Sequence, residues 1–278
     1  MSTERISQAR ATNVPVRFPD IPLRTNDYGW YRYRCATLRT FMTMCIDKIL
    51  VVAERASGSQ AALQKAVMIA RHFGAAIELF TCDAEHSYAL GEDVGSTAIV
   101  TRCLAESRRF LAALRGSVSA RDIDFTIQAA CAATVGEGVC EHVHVSEPSL
   151  VVKSFSDPGL ATASPASVTD RYLMRRCPAP LLLTHGRSWH PVPKIGVMVD
   201  LKGGSSAGGS VSSSRALRAA VEHLAAGCHG EVETLETTDR LDVDVLALQL
   251  ESSTFAEQIL GTAVFDLLLV PERANSEL

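Results

Sequence analysis

The sequence predicts an α/β protein made of two tandem, open parallel-sheet domains, the second incomplete, and three observations predict it. Short, nearly continuous apolar runs alternate with amphipathic stretches, the pattern that starts at Lys48 returns at Lys194, and a polar, proline-rich joint, GRSWHPVP (186–193), separates the two copies. Strands buried on both faces read as continuous apolar runs, and right-handed strand–helix–strand crossovers lay them parallel with helices on both sides.

In the first copy DKILVVAE supplies a strand that ends on Glu54. SGSQAALQKAVMIARHFG follows, with serines for an N-cap, Leu63, Ala66, Val67, Ala70 and Phe73 at helical spacing, and Gly74 as the stop. AIELFTC is a second strand, and residues 96–115 form a long helix with Val100, Cys103, Leu104, Leu111 and Leu114 on one stripe. DFTIQAA is a third strand, VGEGVCEHVHV a glycine-weakened helix, SLVVK a fourth strand, SVTDRYLMRR a helix and APLLLTH a fifth strand.

KIGVMVD, closing on Asp200, repeats KILVVAE, and HGEVETLE mirrors FGAAIELF. Between them Leu217, Ala220, Val221, Leu224 and Cys228 mark a helix stripe. The stretch from Asp200 to Leu267 is shorter than that from Glu54 to Leu150, so a long helix and a strand are expected to be missing. After FDLLLV too few residues remain for a final helix and fifth strand, which leaves an edge to be covered by the first copy or by another chain. The expected domains are an extension at 1–45, poorly ordered, a complete α/β domain at 46–186 and a truncated one at 193–278.

The extension carries seven arginines, no lysine and the cluster YGWYRYR. Arginine alternating with aromatic side chains can stack on single-stranded RNA, but a polar tail supplies no groove. With a formal net charge of -4 and no basic block, the chain gives no reason to propose nucleic acid as a partner. No apolar run is long enough to span a membrane. The eight cysteines form no C-x-x-C pair and no secretory signal opens the chain, so a reducing cytoplasm is the expected location and the cysteines are read as small core residues.

The segment KSFSDPGLATASPAS (153–167) joins the fourth strand to the last helix of the first copy, where open α/β sheets hold ligands. A phosphate loop there needs glycines, so that backbone N–H groups converge on the anion, and this one has a single glycine. Asp157 adds negative charge and Pro158 removes a donor. Lys153 could meet an anion with Ser167 near the helix N-terminus, or pair with Asp157 or Glu54.

The order of elements, the acid after the first strand and SVTDRYLMRRCPAPLLLTH together resemble the universal stress proteins, most of all their tandem E-type members. The resemblance covers residues 46–185 and, in part, 193–271. It implies a Rossmann-like fold and a nucleotide site built from the acid after the first strand and a G-2x-G-9x-G-[ST] loop after the fourth. On this chain the final pair of that motif falls on Ala166 and Ser167, and the earlier glycine positions fall within Lys153–Ser156, where there is none. The vestigial nucleotide or anion site is therefore Glu54, Lys153, Ser154, Ser156, Ala166 and Ser167, with Asp200 as the acid of the second copy.

Other constellations read as structural. Cys140 and His144 are spaced for one helix face but lack a third ligand; His142 and the set His223, Cys228 and His229 read as surface or helix-end residues. Asp242 and Asp244 lack a base, and GGSSAGGSVSSS lacks the lysine of a P-loop and reads as a flexible connection. No catalytic set and no metal site are expected. The expected function is a stress protein that binds or assembles without catalysis and without ATP or another cofactor. The partners expected are a second copy or the other half of the chain as a pseudo-dimer, or a protein partner, with no membrane. The alternative is an adenine-nucleotide-binding regulator or weak ATPase using a remodelled loop.

Overall fold

The computed structural model of the protein describes residues 46–55, 60–86, 94–155, 166–198, 210–235, 242–249 and 265–271. The extension at 1–45 lies outside them. The first half runs β1 (Lys48–Val52), α1 (Ala61–Phe73), β2 (Ala76–Asp83), α2 (Val94–Gly116), β3 (Phe125–Cys131), α3 (Val135–Ser146), β4 (Leu150–Ser154), α4 (Val168–Arg176) and β5 (Leu181–Thr184). The second runs β6 (Lys194–Met198), α5 (Ser210–Cys228), β7 (Glu231–Leu235), β8 (Val245–Gln249) and β9 (Asp266–Val270). α5 begins inside GGSSAGGSVSSS, so the serine-rich end of that stretch is helical backbone rather than a connection.

Among the described residues nine strands make one sheet in the order β3-β2-β1-β4-β5-β9-β8-β6-β7. Neighbours are parallel except β5 and β9, which meet antiparallel with Leu181 opposite Leu269 and Leu183 opposite Leu267. Outward from that join the order is β5-β4-β1-β2-β3 on one side and β9-β8-β6-β7 on the other. β9 thus occupies the place of β5, and β8 that of β4. This corrects the expectation that the second copy stops before a fifth strand: FDLLLV contains the fifth-strand counterpart and VLALQ is the fourth. The shortening falls between β7 and β8, which follow each other too closely in sequence for counterparts of α2, β3 and α3 to lie between them.

Alternation along each strand divides the core between the two sheet faces. Ile49, Val51, Ile77, Leu79, Val152, Ile195, Val197 and Val245 pack with α1, α2 and α5 on one face. Leu50, Val52, Phe80, Val151, Leu181, Leu183, Leu246 and Leu267 pack with α3 and α4 on the other. α1 ends as its sequence predicts, with Gly74 in the left-handed region at φ 66° and its N–H on the Ala70 carbonyl. The glycines of α3 do more than weaken it. A Cβ on Gly136 would come within 2.7 Å of the Tyr172 ring, and one on Gly138 within 2.8 Å of the Ala132 Cβ and closer still to the Cys82 sulfur. Both glycines let α3 lie close against α4 and the end of β2.

α1 and α5 pack together through aromatic rings. Phe73 lies 4.9 Å from the His223 ring, and His72 meets His229 edge-on at 5.1 Å. Burial lowers the pKa of both His72 and His223, and the neighbouring imidazoles lower that of His72 further. An imidazole whose folded pKa lies below its unfolded value binds fewer protons in the native state, so its contribution is fully present above the unfolded value and is lost as pH falls.

Two outcomes follow. Gly138→Ala should destabilise the protein by about 1–3 kcal/mol through overpacking, while Gly116→Ala, where the added methyl meets open space, should stay within about 0.5 kcal/mol of wild type in urea denaturation. The melting temperature should fall as pH drops below about 6.5, the unperturbed histidine pKa, and His223→Gln should flatten that slope in a pH series of thermal melts.

Candidate functional site

The carboxyl ends of β1 and β4 and the N-termini of α1 and α4 converge on Lys153. Lys153 is the fourth residue of β4, beside Val52 of β1, and its side chain is fully buried. Its ammonium reaches Glu54 Oε1 at 2.9 Å, Asp170 Oδ1 at 2.7 Å and the Ser154 carbonyl at 3.1 Å. An ammonium has three donors, and three oxygens of the chain surround this one. The pairing read for Lys153 with Glu54 is present, and Asp170 adds a second carboxylate that is itself fully buried.

Asp170 holds that position through a capping box. Ser167, the N-cap of α4, accepts from the Asp170 N–H at 3.0 Å, and its hydroxyl donates to Asp170 Oδ2 at 2.7 Å. The Ser167 N–H reaches the same oxygen at 3.3 Å. The S-x-x-D pattern of SVTD is the sequence signal for this role, and a reading centred on glycines passes over it. The N-terminus of α4, the natural seat for an anion, thus carries a carboxylate of the chain itself.

The other helix N-terminus is also taken. Gln60 at the N-cap of α1 makes no side-chain cap bond, contrary to the expectation of a serine from SGS, and the hydroxyl of buried Ser154 accepts from the Ala62 N–H at 3.1 Å instead. A strand-end serine 92 residues away does the work of a local cap. Ala166 is buried against the face of the sheet that carries α3 and α4. Of the predicted site, the structure brings together Glu54, Lys153, Ser154, Ala166 and Ser167; Ser156, Asp157 and Asp200 lie outside the described residues.

The other candidates have structural roles. His142 is no surface histidine: it stacks on Phe80 at 4.2 Å and its Nε2 lies 3.1 Å from Glu78, which also pairs with Lys48 at 2.8 Å. Cys140 is buried with its thiol pKa pushed up to about 11 by burial, whereas His144 is exposed. Asp244 accepts from the Lys194 and His190 N–H groups at 2.9 and 3.1 Å, and Asp242 pairs with exposed Lys194. Asp266, at the start of β9, receives the Trp189 indole at 2.7 Å, the His185 N–H at 2.8 Å and the buried Lys65 ammonium. Burial pushes the Asp266 pKa up and the Lys65 pKa down. Together Asp244 and Asp266 fasten the joint between the halves.

Comparison with known proteins agrees with the fold. The universal stress protein family model matches residues 46–185. A functionally unknown protein from Pseudomonas aeruginosa PAO1 superposes with a TM-score of 0.59 at 16% identity, over 82% of this chain and 93% of that one. A protein assigned to the universal stress proteins, from Pseudomonas aeruginosa UCBPP-PA14, gives a TM-score of 0.59 at 16% identity, over 82% of this chain and 94% of its own. UspA from Lactobacillus plantarum is similar over 51% of this chain and 98% of its own, with a TM-score of 0.40 at 16% identity. No curated protein matches the sequence. No described helix is long and apolar enough to cross a membrane.

Removing the ammonium alone should be costly. Lys153→Met leaves the buried Asp170 carboxylate without its counter-ion and should destabilise by about 3–5 kcal/mol, while adding Asp170→Leu to it should recover much of the loss in chemical denaturation.

Proposed function

This chain belongs to the universal stress protein family, and on that premise we propose that it serves in the stress response by non-catalytic binding or assembly, without taking ATP. The reading rests on one observation, the closed charge group at Lys153. Glu54 and Asp170 already pair with the ammonium and the Ser154 carbonyl accepts from it, so two carboxylates face one lysine. Like charge repels a triphosphate.

The magnitudes favour the closed state. Withdrawing Lys153 toward a phosphate would strip Asp170 of its counter-ion at a cost of about 3–5 kcal/mol. Micromolar affinity amounts to about 8 kcal/mol, so roughly half of it would be consumed before any new contact formed. The helix N-termini offer little in exchange, since Ser154 caps α1 and the Ser167–Asp170 box caps α4.

Thermal melts of the full chain with and without magnesium and millimolar ATP test the reading. The expected result is no saturable shift. A ligand present at 100 times its Kd stabilises by about 2.7 kcal/mol, so a saturable rise of several degrees would overturn the proposal in favour of a nucleotide-binding regulator.

A further inference from the structure

The structure places four metal-ligating side chains at the free edge of the first half, where β2 and β3 end beneath α2. Asp83 is the last residue of β2, and the register sets it beside Cys131, the last residue of β3. His86 follows in the turn after β2, and its Nδ1 lies 3.1 Å from Asp83 Oδ1. Cys103 comes down from α2: its sulfur, the Asp83 oxygen and the His86 nitrogen all lie within 4.8 Å of one another. The Cys131 sulfur is 3.7 Å from that of Cys103.

We propose that Asp83, His86, Cys103 and Cys131 form a binding site for one zinc ion, in which Cys131 completes a tetrahedral set begun by the other three. Two separations suit the ion, 3.7 Å between the two sulfurs and 3.1 Å between Asp83 Oδ1 and His86 Nδ1. Two thiolates bonded at about 2.3 Å to a tetrahedral zinc stand about 3.8 Å apart, and nitrogen and oxygen ligands at about 2.1 Å stand about 3.4 Å apart. A mixed sulfur, imidazole and carboxylate set selects zinc or a similar borderline cation over magnesium or calcium, which take oxygen. Cys103 is buried, whereas the side chains of His86 and Asp83 are 31% and 11% exposed, so the ion enters from their side.

Asp83 accepts a hydrogen bond from the His86 N–H at 3.1 Å and lies beside the Cys103 thiol. Binding forms two metal–sulfur bonds and releases two thiol protons to solvent, with no change of oxidation state. Affinity therefore rises with pH.

The test uses the full chain, stripped with a chelator and kept under a phosphine reductant, titrated with zinc against a chromophoric competitor and with cobalt as a spectroscopic stand-in. The expected results are one zinc per chain, proton release on binding, and cobalt spectra with tetrahedral d–d bands and thiolate charge transfer. Cys103→Ser, Cys131→Ser and His86→Gln should each weaken binding by more than the roughly 10- to 100-fold that losing an outer-sphere partner costs, while His144→Ala should leave it unchanged. His86→Gln, at a partly exposed turn, keeps the test decisive if a buried cysteine variant fails to fold. Absence of binding, affinity unaltered by these variants, or a cobalt spectrum without thiolate character would overturn the proposal. So would a Cys103–Cys131 disulfide that persists under the reductant in place of metal binding.

Discussion

The antiparallel meeting of β5 with β9 is the constraint on which the rest of this architecture depends. Each half is a parallel sheet, and a parallel sheet that stops leaves a row of unpaired backbone groups at its last strand. Here the last strand of each half supplies the partner for the other, and apolar leucines face one another across the join. The join also brings Asp266 of the second half to Lys65 and His185 of the first and to Trp189 of the joint. A buried ion pair of this kind gives little net stability, but breaking it is expensive, so it selects one docking of the halves over others. The outer edge that remains at β7 carries Glu231 and Glu233, both exposed, and charged side chains on an edge oppose addition of another strand.

Lys153 shows the same logic turned toward function. An α/β sheet gathers strand ends and helix N-termini at one rim, and that rim attracts anions unless the chain fills it. Here Ser154 fills one helix N-terminus, Asp170 the other, and Lys153 neutralises part of the charge so introduced. The three substitutes are coupled, because Asp170 both caps α4 and pairs with Lys153. Freeing this rim would therefore disturb several contacts together.

Much of the fold was legible because short apolar runs mark most of the strands and helical stripes mark α1, α2 and α5. The repeat of KILVVAE as KIGVMVD located both first strands. What misled was length: the shorter second copy reads as one cut off at its end, whereas the sheet order puts the loss between β7 and β8. One apolar run cannot say which strand it is; only its neighbours can. The site was half legible. Glu54, Lys153 and Ser167 are found from their positions after strands and before a helix, but Ser154 capping α1 joins residues 92 apart, and nothing local announces it. His142 failed for a similar reason, since its partners Phe80 and Glu78 belong to β2.

The cysteines show how topology creates chemistry that spacing conceals. Cys103 and Cys131 stand 28 residues apart with no ligand motif between them, and each alone reads as a core residue. Parallel pairing of β2 with β3 sets Asp83 beside Cys131, and the crossover through α2 returns Cys103 over both. The cluster therefore needs β2, α2 and β3 at once. In the second half β7 and β8 are too close in sequence for counterparts of those last two elements, and among the described residues the cluster stands in the first half. The chain's two asymmetries thus coincide: the half that keeps the full crossover also holds the convergent sulfur, imidazole and carboxylate groups, and a site there needs no counterpart across the β5–β9 join.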